Sequence, residues 1–348
     1  MPILALFFAA ALTSQAAAAT PPNAAPTYAV VKRFAVGEPG GWDYLALAPA
    51  THRLYISRSD RVLVLDSDTG KAIATIPGTD GVHGIVLLPE LGRGYTSNGR
   101  ADTLTEFDLA TSKVLRTIPV QGHNPDALIY DAPTKHLFAF NGRSHDASVI
   151  DPVAGKVVAT IPLSGKPEFA VSDGAGQVFV NIEDSAQLVR IDAAKAKVTA
   201  IWKLQECEEP TGLALDAKHR RLFSTCQNER MAITDANSGK QITSVAIGKG
   251  PDAAAFDAER ALVFSTNGED GTLTVIHEDD ADHYRVIANV PTQASARTLA
   301  LDPASHRIYT VAAQFGSPPA ATTSQPHPRP SVIDGSFTVL VVGDKGNR

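Results

Sequence analysis

Seven short apolar segments of the sequence each open with a polar or charged residue at an equivalent position. These residues are Asp43, His83, Asp126, Glu168, Thr211, Asp252 and Arg297. If the segments converge, four carboxylates face one concave surface, and they repel one another unless a cation or a polar ligand lies between them. We therefore predict a ligand site, for a small polar ligand or a cation, formed by Asp43, His83, Asp126, Glu168, Asp252 and Arg297.

Two other interpretations of this charged set stay open. Arg297 can pair with the neighbouring carboxylates as a purely structural arrangement in a water-filled mouth. Alternatively, the oxygen-rich set holds a divalent cation. His83 would then act as a general acid or base beside a metal-activated water or carbonyl, as in a lyase or a lactone hydrolase.

Four asparagines form a second group of candidate ligand residues. Each ends an apolar strand and is followed by a charged turn; they are Asn98, Asn141, Asn181 and Asn267. Amide carbonyls next to carboxylates suit a cation. Asparagine also tolerates a left-handed backbone, so shaping the turns is the alternative role.

The chain has two cysteines, and one stands among three glutamates in the loop "QECEEP". Cys226 ends a strand where neighbouring repeats have asparagine, and Cys207 lies in the loop that enters the same repeat. We predict a Cys207–Cys226 disulfide that ties the acidic loop down. A reactive thiol is less consistent with the sequence because Glu206, Glu208 and Glu209 oppose a lowered thiol pKa.

A repeated unit must position all of these residues. Its first strand recurs at intervals of roughly 40 to 45 residues, as in four-stranded propeller blades. The recurring segments are "WDYLALAP", "HGIVLLP", "PDALIYD", "PEFAVSD", "PTGLALD", "PDAAAFD" and "ARTLALD". This pattern predicts an all-β, seven-bladed β-propeller with four-stranded antiparallel blades. A capped solenoid is the alternative.

The fourth strand of the last unit is displaced to the front of the chain. Six units have their own fourth strand, whereas the seventh ends with "FTVLVVG", and an unassigned strand, "YAVVKRFAVG", stands at 28–37. Pairing these two strands would close the ring and leave no free sheet edge. This closure favours the propeller over the solenoid.

The repeat also resembles a known family. "VFSTNGEDGTLTVI" (263–276) and "ASVIDPVAGKVVATIPL" (147–163) resemble the repeat of bacterial YVTN-type β-propeller proteins, over essentially all of the mature chain. The resemblance implies the propeller fold, and because propellers carry many unrelated activities it implies little about function.

The N-terminal segment and the composition of the chain indicate its cellular location and exclude some partners. An apolar run from Ile3 to Leu12, followed by small residues, predicts a signal peptide over 1–19 and a single propeller domain over 20–348. We expect a periplasmic or secreted monomer, and no later segment is long and apolar enough for a membrane span. The net charge of −6 and the lack of a basic stripe argue against a nucleic-acid partner.

Two further segments stand out. A proline-rich insert at 313–336 replaces a short turn of the seventh unit, and it could cover the mouth and present His327 or Arg329. The segment "IHEDDADH" (276–283) resembles a metal loop, but its place in a third–fourth turn predicts a solvated acidic turn. Three functions follow from the sequence: a binding module, a metal-dependent lyase or lactone hydrolase, and a protein-interaction scaffold.

Overall fold

A computed structural model describes residues 27–320, 328 and 330–346 of the chain. The predicted signal peptide at 1–19 lies outside the described residues, and so do His327 and Arg329. Within the described part, no helix has the length and apolar character needed to cross a membrane.

Seven four-stranded antiparallel sheets are arranged as blades, which confirms the predicted seven-bladed propeller. Blade one contains β2 (Leu45–Ala48), β3 (Arg53–Arg58), β4 (Arg61–Asp66) and β5 (Ala72–Ile76). Blade two contains β6 (Val82–Leu88), β7 (Arg93–Asn98), β8 (Thr103–Asp108) and β9 (Val114–Pro119). Blade three contains β10 (Pro125–Asp131), β11 (His136–Asn141), β12 (Asp146–Asp151) and β13 (Lys156–Pro162).

The next three blades repeat the same order from the first, inner strand to the fourth, outer strand. Blade four contains β14 (Pro167–Ser172), β15 (Gln177–Ile182), β16 (Gln187–Asp192) and β17 (Lys197–Lys203). Blade five contains β18 (Pro210–Asp216), β19 (Arg221–Cys226), β20 (Arg230–Asp235) and β21 (Gln241–Ala246). Blade six contains β22 (Pro251–Asp257), β23 (Leu262–Asn267), β24 (Thr272–Asp280) and β25 (His283–Pro291).

Blade seven joins the two ends of the chain. Its strands are β26 (Leu299–Asp302), β27 (Arg307–Ala312), β28 (Thr338–Asp344) and β1 (Tyr28–Ala35). Strand β1 pairs antiparallel with β28, with Tyr28 opposite Asp344 and Ala35 opposite Thr338. The predicted ring closure is therefore confirmed.

The core lies between neighbouring blades because the middle strands are buried on both faces. On β3, Leu54 and Ile56 pack with Phe337 of blade seven. The alternate residue Tyr55 packs on the other side against Phe107 of blade two, with ring centroids 5.8 Å apart. Because successive side chains of a strand point to opposite faces, β3 alone contacts the blades on both of its sides.

Two short 3₁₀ turns, Pro49–Thr51 and Pro89–Leu91, connect first and second strands. The third–fourth turns use aspartate side chains; in blade one, Oδ1 of Asp66 accepts hydrogen bonds from the backbone N–H groups of Asp68 (3.1 Å) and Thr69 (2.8 Å). These two kinds of turn lie at the bottom face. The second–third turns and the crossings that enter each inner strand lie at the opposite, top face.

Candidate functional site

The predicted charged residues converge at the top of the central channel because each stands at the entry of an inner strand. Hydroxyl groups of neighbouring blades fix the backbone there: Ser57 donates to the carbonyl of His83, and Ser97 donates to the carbonyl of Asp126. Thr298 donates to the carbonyl of Asp43 at 2.6 Å. These bonds between blades hold the ring of side chains in register.

A glycine permits the close approach of the inner strands at this level. A Cβ on Gly84, which follows His83, would lie 2.8 Å from the backbone nitrogen of Leu128 and 2.9 Å from the carbonyl oxygen of Asp126. Such contacts are too short for a real side chain. Glycine therefore brings blades two and three together just beneath the charged ring.

The ring residues line a cavity of about 740 Å³. Its acidic lining residues are Asp43, Asp126, Glu168, Glu183, Asp252 and Glu269, and its basic ones are His83, Lys166 and Arg297. The lining therefore keeps a net negative charge even when His83 is protonated. The volume is in the range of small-molecule sites.

His83 is held between two carboxylates. Its Nδ1 lies 2.5 Å from Oδ2 of Asp43 and 3.8 Å from Oδ1 of Asp126. Burial alone would lower the pKa of His83, but the hydrogen bond that His83 donates to Asp43 and the charge of Asp126 outweigh it and raise that pKa to about 9. At neutral pH the imidazole is thus an internal cation of the site.

Arg297 balances the opposite side of the mouth. Its Nη1 lies 3.0 Å from Oδ2 of Asp252, and its Nη2 donates to the carbonyl of Trp42 at 2.8 Å. Nη2 also lies 3.7 Å from Oδ1 of Asp43. Burial still raises the pKa of Asp252 to about 6, although Arg297 lowers it.

The third group of charges is centred on Glu168. Nζ of Lys166 lies 2.7 Å from Oε1 of Glu168 and also pairs with Glu183. Burial and the nearby charge of Asp126 raise the pKa of Glu168 to about 8. Burial likewise raises the pKa of Asp126. The site therefore contains buried carboxyl groups whose ionisation is energetically unfavourable. A bound cation would offset this penalty.

Two aromatic side chains of the lining have polar atoms that are buried and unpaired. Within the part of the chain that the structure describes, the hydroxyl of Tyr44 has no hydrogen-bond partner, although its ring stacks on Phe169 with centroids 4.5 Å apart. The indole Nε1 of Trp42 likewise has no partner among these residues. Buried polar groups are normally satisfied, so both atoms are available to a ligand or to water.

An apolar cleft of about 680 Å³ adjoins the charged cavity and shares Trp42, Arg297 and Phe315 with it. The rings of Trp42 and Phe315 lie 5.8 Å apart. Phe315 belongs to the proline-rich insert, whose ends are paired by a bridge between Phe315 and Val332. The described part of the insert thus forms an apolar wall at the mouth.

The asparagines do not join the ring: all four are fully buried inside the blades. Nδ2 of Asn267 donates to the hydroxyls of Thr272 (3.0 Å) and Thr274 (2.9 Å). Nδ2 of Asn98 likewise donates to the hydroxyls of Thr103 and Thr105. Asn141 donates to Asp146 and Ser148, and Asn181 donates to the carbonyls of Thr211 and Gly212. The structure places them where they stabilise strand pairs and blade contacts.

The predicted Cys207–Cys226 disulfide is present, with Cα atoms 5.2 Å apart. The loop it ties down is also bonded to the turn after β19: the N–H of Gln227 donates to the carbonyl of Glu208 at 2.8 Å. Gln227 lines the charged cavity. The disulfide therefore fixes one part of the cavity wall.

The three donor atoms of Asp43, His83 and Asp126 lie within 4.8 Å of one another, a spacing that a single metal ion could bridge. Sequence reasoning missed other lining residues, notably Tyr44, Lys166 and Phe169. Each lies within two residues of a ring position in its own blade. Adjacency to the predicted ring was thus the only signal for them.

No protein-family model matches the sequence, and no curated protein sequence matches it at a significant level. Solved structures share its architecture. Hydrazine synthase from Kuenenia stuttgartiensis aligns with a TM-score of 0.70 at 15% identity, over 86% of this chain and 96% of that chain. A chain of the mitotic checkpoint complex aligns with a TM-score of 0.71 at 14% identity, over 99% and 98%.

U3-55K aligns with a TM-score of 0.74 at 9% identity, over 91% of this chain and 99% of that chain. At these identities the similarity shows the β-propeller fold alone. The resemblance to YVTN-type repeats stays a prediction.

Proposed function

We propose that this protein is an exported binding protein whose channel-mouth cavity takes a small organic cation, such as a protonated amine with an apolar arm. The observation that carries the proposal is the charge of the cavity, which has six acidic and three basic lining side chains. A bound cation would relieve the repulsion among buried carboxylates such as Asp126, Glu168 and Asp252.

The aromatic lining supports an organic ligand over a bare ion. Tyr44 and Phe169 lie beside the carboxylates, and Trp42 and Phe315 extend the surface into the apolar cleft. Aromatic faces attract cations and also bury the hydrocarbon part of a ligand. A ligand with both a positive charge and an apolar arm would contact the charged cavity and the apolar cleft together.

The proposal includes a setting outside the reducing cytoplasm, in the periplasm or beyond the cell. The Cys207–Cys226 disulfide supports it, since such bonds persist in oxidising compartments. The predicted signal peptide at 1–19 agrees with it. In this proposal residues 20–348 form one propeller domain that works as a monomer.

Three probes of similar shape test the sign of the charge: benzylammonium, benzyl alcohol and benzoate. Calorimetric titration at pH 8 should give binding in that order, with benzylammonium at least tenfold tighter than benzoate. Asp43→Asn and Glu168→Gln should weaken benzylammonium binding about tenfold each. Asp60→Asn is the control, because that side chain is 66% exposed and lies outside the cavity lining.

Equal binding of benzoate and benzylammonium would overturn the proposal. Binding of none of the probes, together with no effect of the charge variants on the capture of a protein partner, would instead favour an interaction scaffold. The shared fold permits that function too.

A divalent cation bound by Asp43, His83 and Asp126 is the second candidate, because these donor atoms lie within 4.8 Å of one another. Metal would activate water or polarise a carbonyl for a lyase or lactone hydrolase. Since the pKa of His83 is about 9, a metal bound at Nδ1 must displace a proton at pH 7.5. Titrations of Mn²⁺ in buffers of different ionisation enthalpy would then report about one released proton per ion.

A further inference from the structure

The acidic turn at the bottom of blade six (276–283) contains one residue, Glu278, whose burial differs from that of its exposed neighbours. The predicted solvated turn is confirmed for Asp280 and His283, whose side chains are 61% and 76% exposed. Glu278 differs: its side chain is 1% exposed. A carboxylate is rarely buried to this degree unless a cation or several donors compensate it.

Glu278 meets two residues of the neighbouring blade. Asp216 ends the inner strand β18 of blade five, and His219 lies in the turn that follows. Nδ1 of His219 is 2.7 Å from Oδ2 of Asp216 and 3.4 Å from Oε1 of Glu278. The three donor atoms lie within 4.8 Å of one another.

Two buried atoms of this cluster have no hydrogen-bond partner among the described residues. They are Oε2 of Glu278 and Nδ1 of His219, the latter despite its short distances to both carboxylates. Oε1 of Glu278 accepts a hydrogen bond from the hydroxyl of Tyr284 at 3.0 Å. Asp216 accepts hydrogen bonds from the backbone N–H groups of Lys218 at 2.9 Å and His219 at 3.2 Å, so Glu278 is the less compensated of the two carboxylates.

Arg221, two residues after His219, has its guanidinium engaged outside the cluster. Nη1 of Arg221 lies 2.7 Å from Asp235, and its Nη2 lies 3.0 Å from Asp282. Its Nε donates to the carbonyl of Ala281 at 2.7 Å. The side chain of Arg221 thus holds the hairpin that carries Glu278 and pairs with neither Asp216 nor Glu278.

We propose that Asp216, His219 and Glu278 form a divalent-cation site that clamps blades five and six together at the bottom face. One imidazole and two carboxylates are a donor set that suits Zn²⁺ or Mn²⁺. Donors about 2.1 Å from a tetrahedral Zn²⁺ are about 3.4 Å apart. His219 and Glu278 already have this separation, whereas Asp216, at 2.7 Å from His219, would move slightly outward to bind. The site is independent of the channel mouth.

The adjacent blade junction provides a matched control. Nδ1 of His306 lies 2.7 Å from Oδ2 of Asp257 and is hydrogen-bonded to it. The second carboxylate there, Glu259, is 78% exposed and approaches Nε2 instead, at 3.6 Å. An aspartate–histidine pair with the same 2.7 Å separation thus occurs here between blades six and seven without a second buried carboxylate, and we expect no metal binding there.

The test uses the full mature chain after dialysis against EDTA, with His83→Ala as background so that metal binding at the mouth is removed. Calorimetric titration with Zn²⁺ should give one bound ion. Glu278→Gln should weaken its affinity at least tenfold, and His306→Ala should leave it unchanged. Zn²⁺ at 100-fold above Kd should raise the melting temperature by about 5 °C in the background protein and not in Glu278→Gln.

His219→Ala provides a second variant at a side chain that is 33% exposed. It should also lose Zn²⁺ affinity while keeping the circular dichroism spectrum. Equal Zn²⁺ affinity in the background protein, Glu278→Gln and His219→Ala would overturn the proposal. So would a melting temperature that does not respond to Zn²⁺ or Mn²⁺ in the background protein.

Discussion

Nδ1 of His83 lies 2.5 Å from Oδ2 of Asp43, so an imidazole of blade two and a carboxylate of blade one meet across the channel mouth. With its raised pKa, the imidazole is charged and partly neutralises the carboxylates around it. An incoming cation must share or replace this internal charge. The two candidate functions consequently predict opposite effects of removing it.

His83→Gln should tighten the binding of benzylammonium about three- to tenfold, because a positive charge near the ligand is lost. The same change should weaken Mn²⁺ binding at least tenfold if the metal uses Nδ1. Calorimetric titration of both probes measures the two effects. Weaker benzylammonium binding in a folded variant would contradict the role of His83 as an internal cation.

The stability of the ligand-free protein should fall as the pH rises from about 5 to 8. The pKa of Glu168 is raised from its ordinary 4.5 to about 8, so the folded state holds this proton more tightly than the unfolded state does. That contribution to stability is present below pH 4.5 and is lost as the pH passes 8. Scanning calorimetry across this range measures the slope.

Glu168→Gln should reduce that slope, to which the raised pKa values of Asp252 and His83 also contribute, and should raise the melting temperature at pH 8. Asp60→Asn should change neither the slope nor the melting temperature. Benzylammonium should stabilise the wild-type protein most at high pH, where the carboxylates are ionised. An unchanged slope in Glu168→Gln would show that this carboxyl group does not control it.

Asn267→Ala should lower the free energy of unfolding by about 1–3 kcal/mol, because the hydroxyls of Thr272 and Thr274 lose their buried partner. Benzylammonium affinity should stay within twofold of wild type. Urea unfolding and titration give the two values. Tenfold weaker benzylammonium binding with an intact fold would indicate instead that Asn267 contributes to the ligand site.

Phe315→Ala should weaken benzylammonium binding severalfold and leave methylammonium binding unchanged, since only the larger probe reaches the apolar cleft. Ile333→Ala is a suitable control from the same insert, because Ile333 is 45% exposed and lies outside the cleft lining. Equal losses for both probes would show that Phe315 acts on the charged cavity instead.

Reduction of the Cys207–Cys226 disulfide should lower the free energy of unfolding by about 3 kcal/mol, since the disulfide links residues 19 positions apart and so restrains the unfolded chain. A Cys207→Ala/Cys226→Ala variant should unfold at the lower value and be insensitive to reductant. Denaturant unfolding with and without reductant provides the comparison. Identical curves for reduced and oxidised wild type would contradict it.

Much of this architecture could be predicted because each blade repeats one pattern. The spacing placed Asp43, His83 and Arg297 on one face, and the displaced strand at 28–37 indicated how the ring closes. The burial of individual side chains was harder to predict. Asn98 and His83 both lie towards the top, yet packing buries Asn98 between strands and leaves His83 on the cavity.

The inward position of Glu278 could not be predicted for a related reason. Strands β24 and β25 have nine residues each, whereas the corresponding β20 and β21 of blade five have six. The longer hairpin reaches beyond its own blade to the turn that carries His219. Its sequence alone resembles any solvated acidic turn.

The pairing of β1 with β28 also determines when the fold can be completed during synthesis. The first strand of the described chain emerges from the ribosome early, but its partner follows roughly 300 residues later, so blade seven forms last. Until then β1 and blades one and six each expose a surface that the finished ring buries. A chain that stalls or is cleaved before Thr338 would therefore stay open and depend on chaperones.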